Sequence, residues 1–72
     1  PMHRINPDKL QQSKWTAVAP KHKEKHFMVT KLVRDEQEKV VQVVLEAVLT
    51  RREFTLPWQA LQDEETWRMG WK

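Results

Sequence analysis

VVQVVLEAVL, residues 40–49, is the stretch that decides the fold. Read with period two, Val41, Val43, Leu45, Ala47 and Leu49 make an unbroken apolar face. Val40, Gln42, Val44, Glu46 and Val48 make a mixed one. A helix here would carry five β-branched valines, whose side chains lose rotamer freedom against the preceding turn. The run therefore reads as a strand at the centre of a mainly β domain. Gln42 and Glu46 interrupt it, and no apolar run in the chain approaches the roughly 20 residues of a membrane-spanning helix.

The neighbouring segments fit the same scheme. HFMVTKLVR, residues 26–34, alternates Phe27, Val29 and Val33 with Met28, Thr30 and Leu32, and suits a central strand with cover on both faces. DEQEK, residues 35–39, is a polar turn; without Gly or Asn it excludes a tight Asn-Gly hairpin and predicts a longer loop. KWTAVAP, residues 14–20, is a short strand stopped by Pro20, with Trp15, Ala17 and Ala19 on one face. EFTLPW, residues 53–58, turns Phe54, Leu56 and Trp58 inward and ends its ladder at Pro57.

Short helices are expected at both ends. In INPDKLQQ, Asn6 suits an N-cap, Pro7 the first helical position and Asp8 the first turn. PWQAL predicts a further turn of helix. DEETWRMGWK predicts a last short helix capped by Asp63 and stopped at Gly70, the only glycine, with Trp67 and Trp71 stacked four apart. The whole is expected to be a small, strongly bent antiparallel sheet, or a partly open SH3-like barrel, of three or four strands.

Residues 1–72 form one domain, with Pro1 ahead of Met2 read as a cleavage scar. A chain this short buries little surface, and with no cysteine it has neither disulfides nor thiolate metal sites. Packing must hold it, and four tryptophans, each able to bury roughly 150–250 Å², are the natural means. The composition and the absence of a signal-peptide layout predict a soluble, cytoplasmic protein.

Charge is unevenly spread. Residues 1–34 carry eight Lys/Arg against Asp8 and Glu24; residues 35–72 carry five against eight Asp/Glu. This asymmetry marks either a basic binding face or two halves that attract each other within the fold. The densest stretch is KHKEKHF, residues 21–27. His22 and His26 would share a metal only on a helix and with further ligands, and the run instead links two strands, so no metal or other cofactor is expected. Glu46, mid-strand among apolar residues, is the one carboxylate whose burial would suit acid–base chemistry; its alternative is to point to solvent on the mixed face or to pair with Lys31, Arg51 or Arg52. The single serine, Ser13, has no catalytic partner and one glycine builds no phosphate loop, so the chain is not expected to be an enzyme.

Two binding readings remain. In the first, Lys14, Lys21, Lys23, Lys25, Arg51 and Arg52 meet the phosphates of RNA or single-stranded DNA, and Trp15 offers a stacking surface. Exposure of Trp15 beside the lysines is its condition. In the second, the Arg51–Arg52 turn or a free strand edge holds a protein partner.

The motifs INPDKLQQSKWTAVAP, KEKHFMVT, VLEAV, RREF and WRMGWK resemble the tryptophan-rich family of small uncharacterised bacterial proteins, over residues 4–72. The resemblance implies a bacterial origin, a compact single domain and no assigned activity. It places Lys14–Trp15 and Lys23–Phe27 within the family motif and carries over no catalytic residue.

Overall fold

The computed structural model describes residues 1–72 as one antiparallel sheet of five strands. β1 spans Lys14–Lys21, β2 Glu24–Arg34, β3 Val40–Ala47, β4 Glu53–Pro57 and β5 Trp67–Met69. The order β4-β3-β2-β1-β5 leaves β4 and β5 as the two edges. Only 3₁₀ turns accompany the strands, at Pro7–Lys9 and Trp58–Gln62. Asn6 caps the first, its side chain accepting from the Asp8 amide at 3.1 Å, with Pro7 opening the turn as expected.

The sheet is bent about Phe27 on β2. Phe54 on β4 and Trp67 on β5 stand two strands away on either side, where a flat sheet would separate backbones by roughly 10 Å. Their rings nevertheless lie 6.1 and 5.2 Å from Phe27, both edge to face. The sheet thus curls toward closure without joining its edges. Its inner face holds Leu10, Trp15, Phe27, Val29, Val43, Leu45, Ala47 and Leu61.

Two bulges explain where strict alternation fails. Val29 pairs with Leu45 and Lys31 with Val44, so Thr30 is extra on β2. Beyond it Leu32, not Val33, packs against the core. Val33 pairs with Gln42 and Arg34 with Val40, so Val41 is extra on β3. Val40 turns inward and Val41 outward, the reverse of the expected facing. Leu49, also expected inside, lies in the following turn and is 69% exposed.

The last expected helix is a strand. Residues 67–69 pair with Ala17, Thr16 and Trp15, giving β1 a second partner and Trp67 a place against Phe27. A helix of this length would not repay its nucleation without tertiary contacts, whereas the free edge of β1 offers them. Gly70, at φ +81°, ends this strand instead and folds the tail across the outer face of the sheet. Trp67 and Trp71 consequently lie on opposite faces. Thr16, beneath the tail, donates to the Gly70 carbonyl and accepts from the Lys72 amide.

Asp63 heads the turn into β5 rather than a helix. The Thr66 hydroxyl and then the Glu65 amide, both donating to its carboxylate, hold the Asp63 pKa below the ordinary 3.8; His3 acts in the same direction and slight desolvation opposes them. A carboxylate depressed in the folded state stabilises the fold above its unfolded value, and that contribution is lost as pH falls from 3.8 through the folded value. Asp63→Asn should accordingly flatten the acid limb of a melting-temperature profile taken down to about pH 2, while parallel profiles would dismiss the role.

Candidate functional site

Curling without closure leaves a cleft between the edge strands. It has a volume of about 550 Å³, within the usual range of ligand sites. Phe27, Leu45, Phe54, Leu56 and Trp67 form its apolar part, and Lys21, His22 and Arg52 stand among its polar residues. Phe54, Leu56 and Trp67 are only half-buried, because each faces inward from an edge strand that no other strand covers.

One end of the cleft gathers two turns, residues 22–23 and 48–52, from distant parts of the chain. Lys21 pairs with Glu24, so His22 and Lys23 alone make the β1–β2 turn. Both adopt left-handed backbone, at φ 55° and 62°, as a tight two-residue hairpin requires. Neither is the Asn or Gly that tolerates it, which is why KHKEKHF reads from sequence as a looser connector. His22→Asn combined with Lys23→Gly should therefore stabilise the domain by about 1 kcal/mol, seen as a higher urea midpoint; no increase would mean the turn stores no strain. Lys21, Lys23 and Lys25 are exposed and make no ion pair.

The β3–β4 turn lies alongside. Arg52 Nε meets Glu24 Oε2 at 3.2 Å, and the Thr50 hydroxyl donates to the same oxygen. Glu24 is 5% exposed, a nearly buried carboxylate held by these two groups. The Arg52 guanidinium also sits over the Phe54 ring, 5.1 Å from its centre. With Nε committed to Glu24, its terminal nitrogens remain available on the cleft rim. Arg51 pairs with Glu46 at 2.9 Å, so Glu46 takes its predicted structural alternative and has a cationic partner.

Two residues of the expected basic–aromatic surface fall elsewhere. Trp15 is 1% exposed and donates its indole N–H to Ser13 Oγ at 2.8 Å. It is a core residue, and the stacking surface assigned to it does not exist. Alternation puts Lys14 on the outer face, where its ammonium lies 4.8 Å from the centre of the Trp71 ring. His26 also packs on Trp71, away from His22 on the cleft rim, so the two histidines do not form a clip. The structure thus places Lys21 and Arg52 on the cleft, with Lys23 in the adjoining turn and Lys25 exposed just beyond it; Arg51 lies at the same end but is turned to Glu46 on the outer face, and Lys14 and Trp15 are left out. Sequence reasoning missed Glu24 as the holder of Arg52 and Trp67 as part of the cleft.

The tryptophan-rich protein family (DUF2389) matches residues 13–72. The chain belongs to that family. The match runs from Ser13 through all five strands to the terminal Lys72 and leaves the Pro7–Lys9 turn outside. Of the four tryptophans within this family's stretch, Trp15 is buried, Trp58 and Trp67 half-buried, and Trp71 42% exposed. No curated protein and no solved structure matches the chain. No helix in the DUF2389 domain is long and apolar enough to cross a membrane.

Proposed function

We propose that this domain binds single-stranded nucleic acid, RNA or DNA, at the basic end of its sheet, as a binding module rather than an enzyme. With Trp15 buried, the reading no longer rests on that indole: what carries it is Lys21 and Arg52 on the lining of a half-open aromatic cleft, with the exposed, unpaired Lys23 and Lys25 in the adjoining hairpin. Ammonium groups without internal partners are free to replace counterions along a phosphate backbone. Aromatic side chains in the adjoining cleft supply the apolar contact that unpaired bases seek. The setting on this reading is the bacterial cytoplasm. Protein partnering through the Arg51–Arg52 turn or a strand edge has less support. Arg51 already holds Glu46, β5 is three residues long, and Pro57 ends β4.

Titrating labelled mixed-sequence RNA and single-stranded DNA tests the proposal. Affinity should fall with salt, with a log–log slope of about −0.7 for each phosphate engaged. Reversing Lys21, Lys23 and Lys25 together to Glu should abolish measurable binding while leaving the circular dichroism spectrum intact. Absence of binding by the unaltered protein at about 50 mM salt removes the proposal.

A further inference from the structure

Resting on that reading, we infer that the cleft between β4 and β5 is a slot for one unpaired nucleobase, with Arg52 as its stacking and phosphate-directed residue. A cationic surface alone would need no cleft and no buried carboxylate. Here Glu24, 5% exposed, fixes Arg52 through Nε and leaves the two terminal nitrogens unbonded. Phe54 supports the guanidinium from beneath at 5.1 Å. A guanidinium restrained in this way loses little freedom on engaging a ligand, and its planar face stacks on bases as its edge donates to phosphate oxygens.

The rest of the cleft fits the same occupant. Ala17 and Ala19 leave room on the β1 side, Leu56 and Trp67 give apolar contact, Thr66 and His22 bring polar groups to the rim, and the unpaired Glu65 carboxylate beside them is an acceptor for a base N–H rather than a phosphate contact. Lys21, also on the cleft, and Lys23 in the adjoining turn lie where neighbouring phosphates of the strand would pass. An extended peptide is a poorer match. It would need a long free backbone ladder, and the edges offer only five residues ending in Pro57 and three ending at Met69.

Two strands with equal phosphate counts separate the slot from bulk electrostatics: an oligouridylate of about eight nucleotides and an abasic strand of the same length. The oligouridylate should bind at least about fivefold more tightly, the lower bound of one stacked base. It alone should shift the backbone amide resonances of Ala17, Leu56 and Thr66. Arg52→Lys keeps the charge beside Glu24 but loses the plate; it should weaken the oligouridylate at least about fivefold more than it weakens the abasic strand. Equal affinity for both strands, with no amide shifts in the cleft, overturns the slot while the nucleic-acid reading stands. Failure of both strands to bind at low salt overturns that reading and the slot with it. Displacement of the bound oligouridylate by an acidic glutamate–leucine peptide that shifts the same cleft amides would also overturn the base assignment.

Discussion

Trp15→Ala is expected to leave the chain largely unfolded at room temperature. The side chain is 1% exposed, on a strand paired on both sides, with β2 and with β5. Its strand partners are Phe27 and Met69, and the His3 ring approaches it edge-on at 5.6 Å. Truncating a buried Trp to Ala costs about 3–5 kcal/mol, from lost transfer energy and the cavity left behind. A single small core rarely supplies more than about 3–5 kcal/mol of net stability below roughly 80 residues. The loss therefore matches the whole stability of the domain. Collapsed amide dispersion and loss of a cooperative urea transition would register it. Trp71→Ala is the control: at 42% exposure on the outer face, it should retain the fold at reduced stability. A Trp15→Ala protein with an unchanged urea midpoint would refute the core assignment.

The same tryptophan shows what a sequence carries and what it does not. Period two is a local property, so Val43, Leu45 and Ala47 could be assigned inward from β3 alone. Bulges depend on the partner strand. Nothing in VTKLV or KVVQV shows that Thr30 and Val41 stand unopposed, yet each shifts the facing of what lies beside it. β5 was hidden differently: Asp63, two glutamates, Arg68 and Gly70 are helix punctuation at helix spacing. The vacant edge of β1 outweighed those signals, through pairings of residues 15–17 with residues 67–69.

The candidate site was half legible for the same reason. Lysine density in residues 21–25 is a fact of composition and survived folding as an exposed hairpin. The role given to Trp15 did not survive, because an indole beside a lysine looks the same whether its strand turns it in or out. The cleft could not be read at all. It exists because the curl of the sheet brings residues 27, 54 and 67 together, and that curl follows from the bulges and from β5.

Arg52→Ala should cost about 2–3 kcal/mol of stability although Arg52 is a surface residue. Its side chain is 56% exposed, but its partner Glu24 is 5% exposed. Removing one member of a buried pair leaves the other charge uncompensated, at about 3–5 kcal/mol for full burial; water access on the arginine side lowers the expectation. The Thr50 hydroxyl alone would then hold the carboxylate. Glu24→Gln removes the charge and keeps an acceptor for Thr50, so it should cost less. In the double variant Arg52→Ala has no buried charge to strand, and the two effects should fall short of additivity by about 1 kcal/mol or more. Strict additivity would mean that Glu24 does not depend on Arg52. The pair also links stability to binding. Glu24→Gln makes the basic end more positive, so bulk electrostatics predicts tighter nucleic-acid binding. It also frees the guanidinium, so a positioned stacking plate predicts weaker binding of base-bearing strands. A fall in affinity for the oligouridylate alongside a rise for the abasic strand is expected, since positioning and net charge then act in opposite directions on the same residue.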